Sequence, residues 1–334
     1  LTGIEQSLRR DLENAGLTRA AIDAIWPEWW SAEAESSLSA STELRYTVAR
    51  RLGLSPRALM EGQTRFVWRD EAKYKNLGAT TTAEQGILTS FGVAVGKALI
   101  AVAPHPGAPL PPNPEGLRDA ILQTGRNVGL AELLVSCWAM GVAVVQLEVF
   151  PLSAKRMHAM TVKVRDQYAI LLGARSAYPA QASFIVAHEL GHIIAGHLNG
   201  TAALLDIEDP FEIAQRDEEE SEADAYALSL LTGYRNLDVL ADADNYSATQ
   251  VARAALKAAA SENIDPGTLA LCLAFSTGNW KESVGALKII HSGQHVSDVS
   301  AFVNHVAQTQ LNLSTFDDRA RYLTRILNLG EAAG

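Results

Sequence analysis

Two histidines and a glutamate interrupt the otherwise aliphatic stretch SFIVAHELGHIIAGH, residues 183–197. Ionisable side chains are normally kept out of such a run, so His188, Glu189 and His192 need a reason to be there. Their spacing supplies one. Residues four apart on a helix project from one face, and the H-E-x-x-H pattern lets both imidazoles ligate one zinc ion. Glu189, next to the first ligand, can then reach water at the metal without ligating it, which is the arrangement that activates water for hydrolysis. Two core histidines satisfied by hydrogen bonds are the plainer reading of the same residues.

A zinc site of this kind needs a third protein ligand. His197 follows His188 by nine residues, about 180° away on an unbroken helix at roughly 100° per residue. It can join only if the chain breaks, which Gly196 leaves open. The acidic stretch EEESEADAYALSLL, residues 218–231, offers another ligand. With Glu220 as origin, Ala223, Asp224, Ala227 and Leu231 fall within about 60° of it on a helix. Glu222 points nearly opposite, and Glu219 is well off centre. Glu220 therefore faces inward and can complete a two-His, one-Glu site. Asp224, one turn on, can accept a hydrogen bond from the outer nitrogen of a ligating histidine. Glu218, Glu219 and Glu222 read as solvated surface, and Tyr226 reads as packing, with a phenol beside the site as the other option. Tyr178, Tyr226 or a histidine outside the motif is needed to steady a tetrahedral oxyanion.

The elements that must position these residues are α+β in pattern. GLAELLVSCWAMG reads as a helix closed by Gly141, VAVVQLEVF has strand character, and MTVKV and YAILLG are short strands leading into the motif helix. This puts a small sheet before that helix. Six prolines in PHPGAPLPPNP, residues 104–114, rule out a helix there and mark a spacer. The expected organisation is a helical domain at 1–103, a Pro-rich linker at 104–116, a core at 117–240 and a helical region at 241–334. In the first domain, TVARRLGLSPRALME reads as helix, turn, helix, with Pro56 at the second helix start. Arg50, Arg51 and Arg57 can meet phosphates if residues 1–65 bind DNA. Those residues carry eight Arg against nine acids, however, whereas DNA-binding domains are usually basic; a helical docking domain is the other reading.

Composition bounds the rest. The 334 residues carry a net charge of −10. Between Asp206 and Asp224 ten acids meet one base, Arg216, a local net of −9, so nearly all of the excess lies in one segment. No apolar run approaches the roughly 18 residues of a membrane span, and the N-terminal residues lack the pattern of a signal peptide, so the expectation is a cytoplasmic protein. Cys137 and Cys272 lie in apolar surroundings and read as core, not as a disulfide framework.

FIVAHELGHIIAGH, the helix EEESEADAYALSLL and the preceding order of helix, strand and short strands resemble the ImmA/IrrE family of bacterial metallo-endopeptidases over residues 117–240. The second motif stands in place of that family's Glu-x-Glu-Ala-Asn-x-Phe-Ala type helix. The resemblance implies a zincin-like peptidase core that uses Zn2+, or another divalent ion such as Mn2+. It implies proteolysis of a repressor carrying a helix-turn-helix, with roles in transcription regulation and stress response. It also implies His188 and His192 as ligands, Glu189 as catalytic base and Glu220 as third ligand. Asp224 stands where the family often has Asn, and Tyr226 where Phe is common. Residues 1–103 and the last 94 match no family pattern. The alternative is a non-enzymatic regulator that binds DNA or a protein partner and carries a structural or sensory metal site.

Overall fold

The computed structural model describes residues 3–67, 72–75, 82–153, 157–206, 218–237, 239, 246–292, 298–313 and 318–329. Glu208, Asp209, Glu212, Arg216 and Asp217 of the acidic run lie outside the described residues.

The fold is α+β. Five strands, β1 (Ala72–Lys75), β2 (Val142–Gln146), β3 (Ala159–Val164), β4 (Gln167–Leu172) and β5 (Ala203–Asp206), form one mixed sheet in the order β1-β5-β3-β4-β2. β3 pairs antiparallel with both β4 and β5, while β2 runs parallel to β4 and β1 parallel to β5. Before the proline-rich spacer run α1 (Gly3–Asn14), α2 (Arg19–Ile25), α3 (Leu38–Leu52), α4 (Pro56–Met60) and α5 (Thr82–Ile100). After it come α6 (Pro114–Leu122) and α7 (Leu130–Ala139), then α8 (Pro179–Ile194) with the histidine motif and α9 (Glu218–Thr232) with the acidic stretch. The chain continues as α10 (Ala248–Glu262), α11 (Pro266–Thr277), α12 (Trp280–Ile290), α13 (Val299–Gln310) and α14 (Asp318–Leu327).

The central strands are almost continuously apolar because helices cover both sheet faces. On one face Met160, Val162, Leu171 and Leu205 pack with α5, and with Leu44, Val48 and Leu52 of α3 and Leu323 and Ile326 of α14. The stretches on either side of the spacer thus share one core. On the other face Val144, Ala159, Ile170 and Leu204 pack with α7, α8 and α9. Helices α10, α11 and α12 cluster separately around Val251, Leu271 and Leu287, touching Ala180 at the start of α8. Arg118 on α6 is buried and donates to the carbonyl oxygens of Leu230 and Leu231, and of Asn263, so one guanidinium holds the C-terminal ends of α9 and α10. Positive charge at that end also suits the helix dipole.

The structure departs from the sequence reading in two places. The sheet is not complete before the motif helix, because β5 follows α8, and it reaches beyond residues 117–240, because β1 comes from the first hundred residues. ALLD and AKYK are too short to display an alternating pattern. The second departure concerns Arg51, which is not available to a phosphate. It is 5% exposed, donates to Ile25 O at 2.6 Å and Asp318 O at 2.8 Å, pairs with the Asp318 carboxylate and lies over the Tyr322 ring. Being on the inner face of α3, it was bound to be claimed by the core. Arg50 and Arg57 are exposed. Among the described residues no helix is long and apolar enough to cross a membrane.

Candidate metal centre

Helix α8 starts with Pro179 at its first turn, where a missing N–H costs nothing. It then runs buried between the sheet and α9, with all residues from Ala182 to Ile193 buried. Its four-residue histidine spacing turns both imidazoles toward α9. The close approach of that helix depends on Gly191: a Cβ there would lie 2.8 Å from Ala223 Cα and 3.1 Å from Tyr226 Cβ. Helix α9 buries Glu220, Ala223, Asp224 and Ala227 along one face, and Glu220 meets the histidines.

Among the described residues, the ligand atoms of His188, His192 and Glu220 gather within 4.8 Å of one another. The two Nε2 atoms are 3.0 Å apart, and the Glu220 oxygens lie 3.3 Å from His188 Nε2 and 3.4 Å from His192 Nε2. Ligand atoms held about 2.0–2.1 Å from one tetrahedral centre are about 3.3 Å apart, so the donor set fits a divalent ion. The outward nitrogens fit as well. His188 Nδ1 is 3.0 Å from Asp224 Oδ1, which directs its Nε2 lone pair inward.

Burial sets the electrostatics. It pushes His192 down to about 4, keeping the imidazole neutral and its nitrogen available. Burial alone would raise Glu220, but hydrogen bonds with His188 and His192 hold it well below the ordinary carboxylate range. Glu189 is fully buried, and burial pushes its carboxyl up to about 7 against the pull of His188 and Thr161. Thr161 on β3 donates its hydroxyl to Glu189 Oε2 at 2.5 Å, while Oε1 has no hydrogen-bond partner. Thr161 was missed in the sequence; its one signal is a hydroxyl at a buried place in the strand AMTVKV.

His197 does not join the three ligand atoms. Helix α8 ends at Ile194, Gly196 takes a left-handed φ of 78°, and the chain turns His197 back behind His192. Its Nδ1 lies 2.7 Å from His192 Nδ1, and its Nε2 lies 3.2 Å from Glu222 Oε2. Glu222 is exposed, as its place on the helix implies, yet it holds this imidazole instead of being merely solvated. Tyr226 packs in the apolar cluster with Leu190 and Leu230; its hydroxyl has no hydrogen-bond partner, and burial pushes the phenol up. Tyr178 caps the far end of α8 and stacks on His291. It stands ten residues before His188, about 15 Å along the helix axis. Cys137 and Cys272 are buried and unpaired.

Residues 140–260 match the family model Peptidase_M78, described as an IrrE N-terminal-like domain. No curated protein matches the chain.

Proposed function

Because residues 140–260 form a domain of the ImmA/IrrE metallopeptidase family, we propose that this chain is a zinc-dependent endopeptidase acting on a protein substrate, a helix-turn-helix repressor. Manganese is the alternative ion. The observation that carries the reading is the convergence of His188 Nε2, His192 Nε2 and Glu220 on one point beside a buried carboxyl. The three side chains would hold the ion. When bound, a divalent ion polarises a carbonyl and makes water acidic enough to attack near neutral pH.

The protein's own groups do the rest. Thr161 fixes one oxygen of Glu189, leaving Oε1 as the atom that accepts a proton from the attacking water. The same carboxyl returns that proton to the departing amine. Asp224 keeps the His188 ring turned so that Nε2 faces Glu220. The substrate assignment is supported by the family likeness and by the charge of residues 206–224, which suits the basic segments that DNA-binding proteins carry. Residues 1–65 would recruit such a substrate or its DNA.

Metal content of the purified protein tests this reading. One zinc per chain is expected in wild type and in Glu189→Gln, with loss in Glu220→Ala. Full retention in Glu220→Ala would remove that ligand; absence of metal from all three proteins would return the histidines to a structural role.

A further inference from the structure

We propose that His197 and Glu222 form a proton-ordered relay that holds His192 in its metal-binding tautomer, which makes His197 a positioning residue. The inference rests on the metal reading above and adds two residues that an unbroken helix would have kept away from it.

The geometry is built by the end of α8. With Gly196 at φ 78°, the His197 amide donates to His192 O at 3.0 Å and the ring folds back under the one it follows. Both rings are buried, at 0% and 7% exposure. Two Nδ1 atoms 2.7 Å apart can share only one proton. That proton has two places, and they have opposite consequences. If His192 carries it, Nδ1–H of His192 donates to His197, and the Nε2 of His192 keeps its lone pair for the metal. If His197 carries it, neutral His192 must hold its own proton on Nε2, where it faces His188 Nε2 at 3.0 Å and Glu220 at 3.4 Å and blocks ligation.

Glu222 decides between them. An ionised carboxylate only accepts hydrogen bonds, so at 3.2 Å it favours the tautomer of His197 whose proton is on Nε2. That leaves His197 Nδ1 as an acceptor, and the first arrangement follows. His188 has a shorter version of the same device, with Asp224 accepting directly. The difference is that the His192 branch ends at an exposed carboxylate, whose side chain is 57% accessible. The orientation of one buried ligand is therefore set from the surface.

The test is zinc competition against a chromophoric chelator for wild type, His197→Ala, His197→Asn, Glu222→Gln and His188→Ala, with nitrogen-15 NMR of the imidazoles in the zinc-loaded wild type. Outer partners of a ligating histidine are worth about 10–100-fold in metal affinity. His197→Ala is expected to lose that much. His197→Asn, whose carboxamide oxygen can still accept from His192 Nδ1–H, should recover most of it, and Glu222→Gln should lose only a few-fold. NMR should find His197 protonated on Nε2 alone. Wild-type zinc affinity in His197→Ala, or a His197 proton on Nδ1, overturns the relay and leaves the metal centre standing. Zinc binding unchanged in His188→Ala, or absent from wild type, removes the metal reading and the relay together. The NMR measurement uses only wild type and so does not depend on a variant that folds.

Discussion

Arg51 and Glu189 are both carried into an apolar interior by a helix, and they are received differently. Arg51 finds two carbonyl oxygens, a carboxylate and an aromatic face. Glu189 finds one hydroxyl, keeps an oxygen without a partner, and lies beside three ligand atoms aimed at one another. Buried polar groups are almost always paired. A charge that is fully met serves the fold; one with an oxygen left over, beside ligand atoms that converge on one point, marks where something else must bind or react.

The largest effect that would sharpen this contrast is on catalysis. Glu189→Gln should lower peptide hydrolysis by about 10²–10⁴-fold, the usual worth of a positioned acid–base group. Its thermal midpoint should stay level or rise, since burial disfavours the carboxylate that is removed. A stable variant with normal turnover would break the comparison.

Arg51→Met should show the reverse. The loss of the guanidinium takes the cation from the Asp318 carboxylate and the side-chain donor from Ile25 O, which should cost about 2–3 kcal/mol in denaturant unfolding because Asp318 is partly exposed. Zinc affinity of the folded protein should not change. Altered zinc binding with unchanged stability would mean that the two regions are coupled.

The smallest expected effect concerns the acidic run. Peptides with Lys or Arg near the cut should be hydrolysed a few-fold faster than acidic ones, and raising the salt from about 0.1 M to 1 M, which shortens the Debye length from about 10 Å to about 3 Å, should erase the preference. Equal rates for basic and acidic libraries would remove the charge argument for the substrate.

What the sequence displayed and what it hid divide along a physical line. Helical spacing reports which side chains share a face, so the pairing of His188 with His192 and the inward turn of Glu220 and Asp224 are legible in the sequence. Spacing says nothing about what arrives from elsewhere. Thr161 meets Glu189 across 28 residues, and β5, which inserts between β1 and β3, comes after α8 in the chain. His197 was obscured for a local reason: its position depends on one backbone angle at Gly196, and counting by 100° assumes that angle away. Arg51 reads as a surface cation beside Arg50 because charge alone does not say which face of α3 is turned inward.

Gly191 carries a consequence for anyone searching sequences with this motif. Written as H-E-x-x-H, the pattern treats the fourth position as free, yet in this fold that position is tied to Ala223, thirty-two residues later. A side chain at 191 would meet the Cα and carbonyl oxygen of Ala223, backbone atoms that any residue there would keep, so no change at 223 makes room for it. Enlarging position 191 moves α9, and Glu220 with it. A copy of the motif with a bulky residue at that fourth position is therefore expected to have lost its third ligand, whatever stands opposite.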